Sequence, residues 1–117
     1  MLSVLKKAGL VVVLAAAAAS TATPASAASS RCVVGSSGNC TTAAIPAEQF
    51  IDYFVDNRLR PTACSYQLRE VSSGVLVGRG TADPGVAARG RVTGLSGRYQ
   101  LELRRCSAGA VGVIDNE

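Results

Sequence analysis

The hydrophobic pattern changes period at Pro61. Before it, Phe50, Ile51, Phe54, Val55 and Leu59 recur at three-to-four-residue spacing, and Glu48, Gln49, Asp52 and Asp56 fill the other side. That spacing predicts one amphipathic helix from Ala47 to Leu59, opened near Pro46 and ended by Pro61. Glu48 and Asp52 in its first half and Arg58 in its last turn suit the helix dipole. After Pro61, Cys64, Tyr66 and Leu68 alternate with Ser65, Gln67 and Arg69, which is the period of a half-buried strand. Ser72 to Gly74 reads as a turn and Val75 to Gly80 as the returning strand of a hairpin. Strands are also expected at Arg89–Thr93, Arg98–Cys106 and Ala110–Ile114, separated by the turn signals Asp83-Pro84-Gly85 and Gly94 to Gly97. The expected fold is mainly β with one helix: a small antiparallel sheet or sandwich of four to five strands, the amphipathic helix packed on one face, and two disulfides.

One strand resists a simple two-faced account. Tyr99, Leu101 and Leu103 share a side, but Cys106 falls with Gln100, Glu102 and Arg104 on the polar side. Either the strand bulges near Arg104 or a disulfide closes over its outer face.

The N-terminal segment is of another kind. Lys6 and Lys7, the apolar run Leu10 to Ala19, and Pro24 followed by Ala25, Ser26 and Ala27 have the three parts of a signal peptide. Residues 1–27 are therefore expected to be removed on export, leaving 28–117 as a single secreted domain with 28–31 as a flexible polar tail. The apolar run is too short for stable membrane insertion. Loss of both lysines takes the formal charge from +4 to +2, ten arginines against eight acids. The arginines form no block and no aromatic residues interleave with them, so nucleic acid is not an expected partner. The all-arginine cation set and the wealth of alanine and glycine fit a bacterial chain from a high-GC genome.

All four cysteines, Cys32, Cys40, Cys64 and Cys106, lie in the exported part. An even number in an oxidising destination points to two disulfides, and three pairings are open. Cys32 with Cys40 and Cys64 with Cys106 is favoured, because the glycine- and serine-rich segment between the first two can turn back on itself. The gaps of seven, twenty-three and forty-one residues do not suit zinc knuckles. With no histidine in the chain either, no metal and no cofactor are expected.

Candidate chemistry is sparse. Glu70 and Glu102 are the one carboxylate pair worth testing for acid–base work, against a plain reading as surface charge paired with Arg69 or Arg104. Gly78-Arg79-Gly80 lacks the context of a phosphate cradle and fits a hairpin. Arg58-Leu59-Arg60-Pro61 is a candidate contact loop, and Tyr53, at the rim of the expected helix, a candidate interface residue. A secreted, doubly stapled domain without a catalytic constellation is expected to be no enzyme and to bind another secreted protein, by strand addition or through its tail.

Gly97, Arg98 and Tyr99 add a further possibility. In its signal, size and cysteine count the chain resembles the small secreted α-amylase inhibitors and subtilisin inhibitors of filamentous soil bacteria. The first family implies an arginine–tyrosine contact at Arg98 and Tyr99, although its tryptophan has no counterpart here. In being short, secreted and non-catalytic, the chain also resembles the connector subunit of umbrella-shaped toxin particles. That resemblance implies an adaptor in an extracellular assembly such as a toxin complex, with hydrolase inhibition as the alternative.

Overall fold

A computed structural model describes residues 27–117. The signal segment read at 1–27 thus lies, but for Ala27, outside the described residues. Nine strands follow in order among the described residues: β1 (Ser29–Val33), β2 (Cys40–Thr41), β3 (Ile45–Pro46), β4 (Gln49–Asp56), β5 (Cys64–Glu70), β6 (Leu76–Ala82), β7 (Ala87–Leu95), β8 (Arg98–Arg104) and β9 (Val111–Asp115). They form two antiparallel sheets, one in the order β7-β4-β9-β1, the other β2-β8-β5-β6 with β3 also paired to β8.

The helix expected at Ala47–Leu59 is absent, and no helix occurs among the described residues. Gln49–Asp56 is instead a central strand, paired with β7 on one side and β9 on the other. Its run of aromatic and β-branched residues favours a pleated strand. Ile51 and Val55 are fully buried between the sheets, while Phe50 and Phe54 alternate onto the outer face. Those outer rings are covered by arginines of β7, Arg91 lying 3.8 Å from the centroid of Phe50 and Arg89 4.9 Å from that of Phe54. Aromatic residues on both faces of one strand imitate a helical period. Pro46, expected to open the helix, sits in β3 opposite Arg98.

The start of the domain differs too. Ala28 to Arg31, read as a flexible tail, is tied in: Ser29–Val33 pairs with β9, and Ala28 exchanges hydrogen bonds with Asn116.

The core is the filling between the sheets, with Ile51, Val55 and Ile114 from one and Leu68, Leu101 and Leu103 from the other. Two half-buried tyrosines pack against it and each other, Tyr53 of β4 and Tyr66 of β5, with ring centroids 5.3 Å apart. Each lies over a glycine of the neighbouring edge strand, Tyr53 over Gly90 and Tyr66 over Gly80, where a Cβ would collide with the ring.

Both disulfides join the favoured partners. Cys32–Cys40 ties β1 to β2, one sheet to the other, and Cys64–Cys106 ties β5 to the segment after β8. The ambiguity over Cys106 is resolved locally: β8 ends at Arg104, and Arg105 takes a left-handed φ of 57°. That turn swings Cys106 off the polar face into the interior beside Cys64.

Chain-entropy arguments give about 2.5 kcal/mol for closing the short loop and about 4 kcal/mol for the long one. Replacing Cys64 and Cys106 by alanine should therefore lower unfolding free energy by more than replacing Cys32 and Cys40, as urea titration of the two double variants would measure.

Candidate functional site

Three loops meet at one end of the sandwich, and a buried asparagine ties two of them together. Asn57, fully buried directly after β4, directs its side-chain Nδ2 at the carbonyls of Thr62 (2.9 Å), Asp83 (3.1 Å) and Ala82 (3.2 Å). Its main-chain carbonyl accepts from the amides of Arg60 (3.3 Å) and Gly85 (3.1 Å). A single residue thereby fixes the β4–β5 loop, closes the Asn57–Arg60 turn and ties both to the β6–β7 turn.

The flanking arginines are fixed as well. Arg58 grips Asp56 with two parallel bonds of 3.0 Å, and hydrogen bonds from Arg58 hold the Asp56 carboxyl below its usual pKa. Arg60 Nη1 donates to the carbonyl of Ala108 at 3.1 Å, and its guanidinium lies over Gly109. Between them Leu59 projects from the turn with 85% of its surface exposed. An exposed leucine is common, but one held on a turn braced by several hydrogen bonds is a pre-organised apolar knob. Arg58 and Arg60 thus flank Leu59 on one turn.

The remaining candidates are dispersed. Arg98 lies at the opposite end of β8, its Nη2 donating to the carbonyl of Ala44 at 3.1 Å. Tyr99 points the other way and is only 5% exposed, and Tyr53 is turned inward onto Tyr66. An arginine–tyrosine contact pair is not presented at 98 and 99. Cys32, Cys40, Cys64 and Cys106 are consumed in disulfides, with no free thiol among the described residues.

The two carboxylates considered for catalysis do not face each other. Glu70 stands opposite Tyr99 and Glu102 opposite Gln67, on different faces of the sheet. Glu70 is bound by the hydroxyls of Ser73 and Ser72, which lower its pKa and brace the β5–β6 turn. Neither group carries the raised pKa that a general acid near neutrality needs.

Glu102 has a different task, which its sequence context only half revealed. It lies on the outer face of the five-stranded sheet, with no further layer above it among the described residues, yet it is only 3% exposed. Neighbouring side chains cover it. Gln67 donates to Oε1 at 2.5 Å, Arg104 to Oε1 at 3.2 Å, Gln100 to Oε2 at 2.7 Å and Arg69 to Oε2 at 3.0 Å. Burial alone would raise its pKa, but the hydrogen bonds from Gln67, Arg69 and Gln100 and the charge of Arg69 outweigh it and bring it down to about 2. The alternation of β8 places Glu102 outward among donors, a signal present in the sequence. Asn57 gave no comparable signal, since an asparagine after an apolar run reads only as a turn.

Comparisons leave this geometry to stand alone: no family model, no curated protein and no solved structure matches the chain.

The Glu102 network sets a pH dependence. A carboxylate with a folded pKa below its unfolded value stabilises the fold above the unfolded pKa, and that stabilisation is lost as pH falls toward the folded one. Acidification from about pH 5 to about pH 2 should thus remove roughly 3 kcal/mol through this group. Glu102→Gln should flatten that part of the profile while lowering stability at pH 7, as urea midpoints across the range would reveal.

Proposed function

We propose that this chain is an exported, non-catalytic protein-binding module, an adaptor or connector subunit of an extracellular protein assembly, toxin complexes included. The observation that carries this reading is the Asn57-braced turn with Leu59 at its apex. Burying a leucine gains roughly 1.5–3 kcal/mol, and a turn already held by hydrogen bonds loses little entropy on docking. Arg58 and Arg60, fixed on either side, supply a charged rim around the apolar anchor, the arrangement of an interface hot spot.

The same geometry weighs against substrate-like protease inhibition. A segment that imitates a substrate lies extended in the cleft, whereas Asn57–Arg60 is closed by the bond from the Arg60 amide to the Asn57 carbonyl. Arg60–Pro61 is moreover a poor bond for cleavage, since Pro61 has no amide hydrogen. The buried Tyr99 gives an amylase-type contact no support.

Native recovery of the protein from its host's culture medium, with mass determination of whatever remains bound, tests the proposal. A stable hetero-complex is expected, and Leu59→Arg should weaken it by about 2 kcal/mol or more without unfolding the domain. Recovery solely as a monomer would overturn the reading.

A further inference from the structure

The two sides of the sandwich are unequal. On one, β1 is joined to β2 by Cys32–Cys40, and Ser30 Oγ accepts the Ala43 amide at 2.9 Å, so the crossing chain covers that side. On the other, β6 and β7 end their sheets, and neither has a further strand among the described residues. The arginines of β7 are engaged, Arg91 with Asp52 at 2.7 Å and Arg89 over Phe54. β6 differs. Arg79, its only charged residue, forms no ion pair among the described residues and stands opposite Gln67, on the outer face that also holds Arg69, Arg98 and Arg104. The one carboxylate inside that arginine face, Glu102, is buried beneath its donors.

This surface selects a partner by charge and by backbone. Guanidinium forks match carboxylates. The open edge of β6 offers main-chain donors and acceptors that only a polypeptide can pair. No aromatic side chain is available on the face for stacking bases, since Tyr66 and Tyr99 point inward and Phe50 and Phe54 belong to the other sheet. A second copy is disfavoured, because two-fold pairing about Arg79 would set like charges opposite each other.

We propose that the free edge of β6, backed by the arginine face, is a docking strand for an extended acidic segment of a partner polypeptide. The segment's backbone continues the five-stranded sheet, and its alternate side chains place carboxylates beside Arg79. Strands pair about 4.8 Å apart, so a single glutamate opposite Arg79 reaches its guanidinium. The inference does not rest on the Leu59 turn.

The probe is an acetylated peptide of about eight residues alternating glutamate with threonine, long enough for a typical strand. Its control replaces each threonine by proline, which keeps the charge but cannot pair as a strand. Both are titrated into the protein as recovered from culture medium, read by fluorescence anisotropy and by amide hydrogen exchange. The glutamate–threonine peptide should bind, weaken with salt and slow exchange between Leu76 and Ala82. Arg79→Glu should reduce its affinity by about tenfold or more and Arg79→Gln by less, while Leu59→Arg should leave it unchanged. Equal binding of the two peptides, displacement by heparin or single-stranded DNA at lower concentration than the peptide itself, or no binding by about 1 mM would overturn the proposal. A complex still dependent on Leu59 would then leave the functional reading above intact.

Discussion

Leu101 and Leu103 of β8 come to rest against the bare backbone of Gly112 in β9, and this approach sets how closely the two sheets pack. A Cβ at Gly112 would lie 2.6 Å from a Leu103 methyl and 3.1 Å from one of Leu101. Any side chain there would spread the layers and loosen Ile51, Val55, Ile114 and Leu68 around the contact. A core this thin belongs to a domain with little interior to spare, which is why the two disulfides carry weight beyond their number.

Because the layers meet so tightly, and no helix among the described residues covers either of them, both outer faces are left there to side chains alone. Each solves the problem differently. The four-stranded sheet lays Arg89 and Arg91 over Phe54 and Phe50, with Asp52 neutralising Arg91. The five-stranded sheet gathers Gln67, Arg69, Gln100 and Arg104 around Glu102, and there the hydrogen bonds are numerous enough to keep a nearly buried carboxylate ionised. In both cases long side chains take the part of the missing third layer.

Much of this was legible in the residues, and what was not has a physical cause. The alternation through Cys64, Tyr66 and Leu68 and through Tyr99, Leu101 and Leu103 marked β5 and β8 because each strand has one apolar and one polar face. The glycine and serine content between Cys32 and Cys40 favoured the short disulfide that is found. The helix at 47–59 failed because Phe50 and Phe54 face outward under arginines some forty residues away, and no local window holds that information. The loop Arg58 to Pro61 was visible as a candidate, but its rigidity depends on carbonyls at Ala82, Asp83 and Ala108. Tyr99, plausible as a contact from its amphipathic chemistry, is claimed by the interior once its strand takes a register, and Tyr53 is left half-buried against Tyr66.

The placement of the staples also bears on where the proposed partner would attach. Cys32–Cys40 closes the side of the sandwich at which β1 and β2 meet, joining the two sheets by a covalent bond where their edges would otherwise be open. An edge strand left bare invites pairing, and proteins commonly cover it, shorten it or charge it. Here one side is covered and bonded, and the other carries arginines not neutralised by a carboxylate: Arg79 on β6 and Arg89 on β7, Arg91 being paired with Asp52. Charge of a single sign repels a second copy while leaving the backbone groups accessible to a strand of opposite sign, so it discriminates where a covalent cover merely excludes. A scaffold stapled on one side and presenting arginines on the other is thereby directional, which is what the proposed connector role would use.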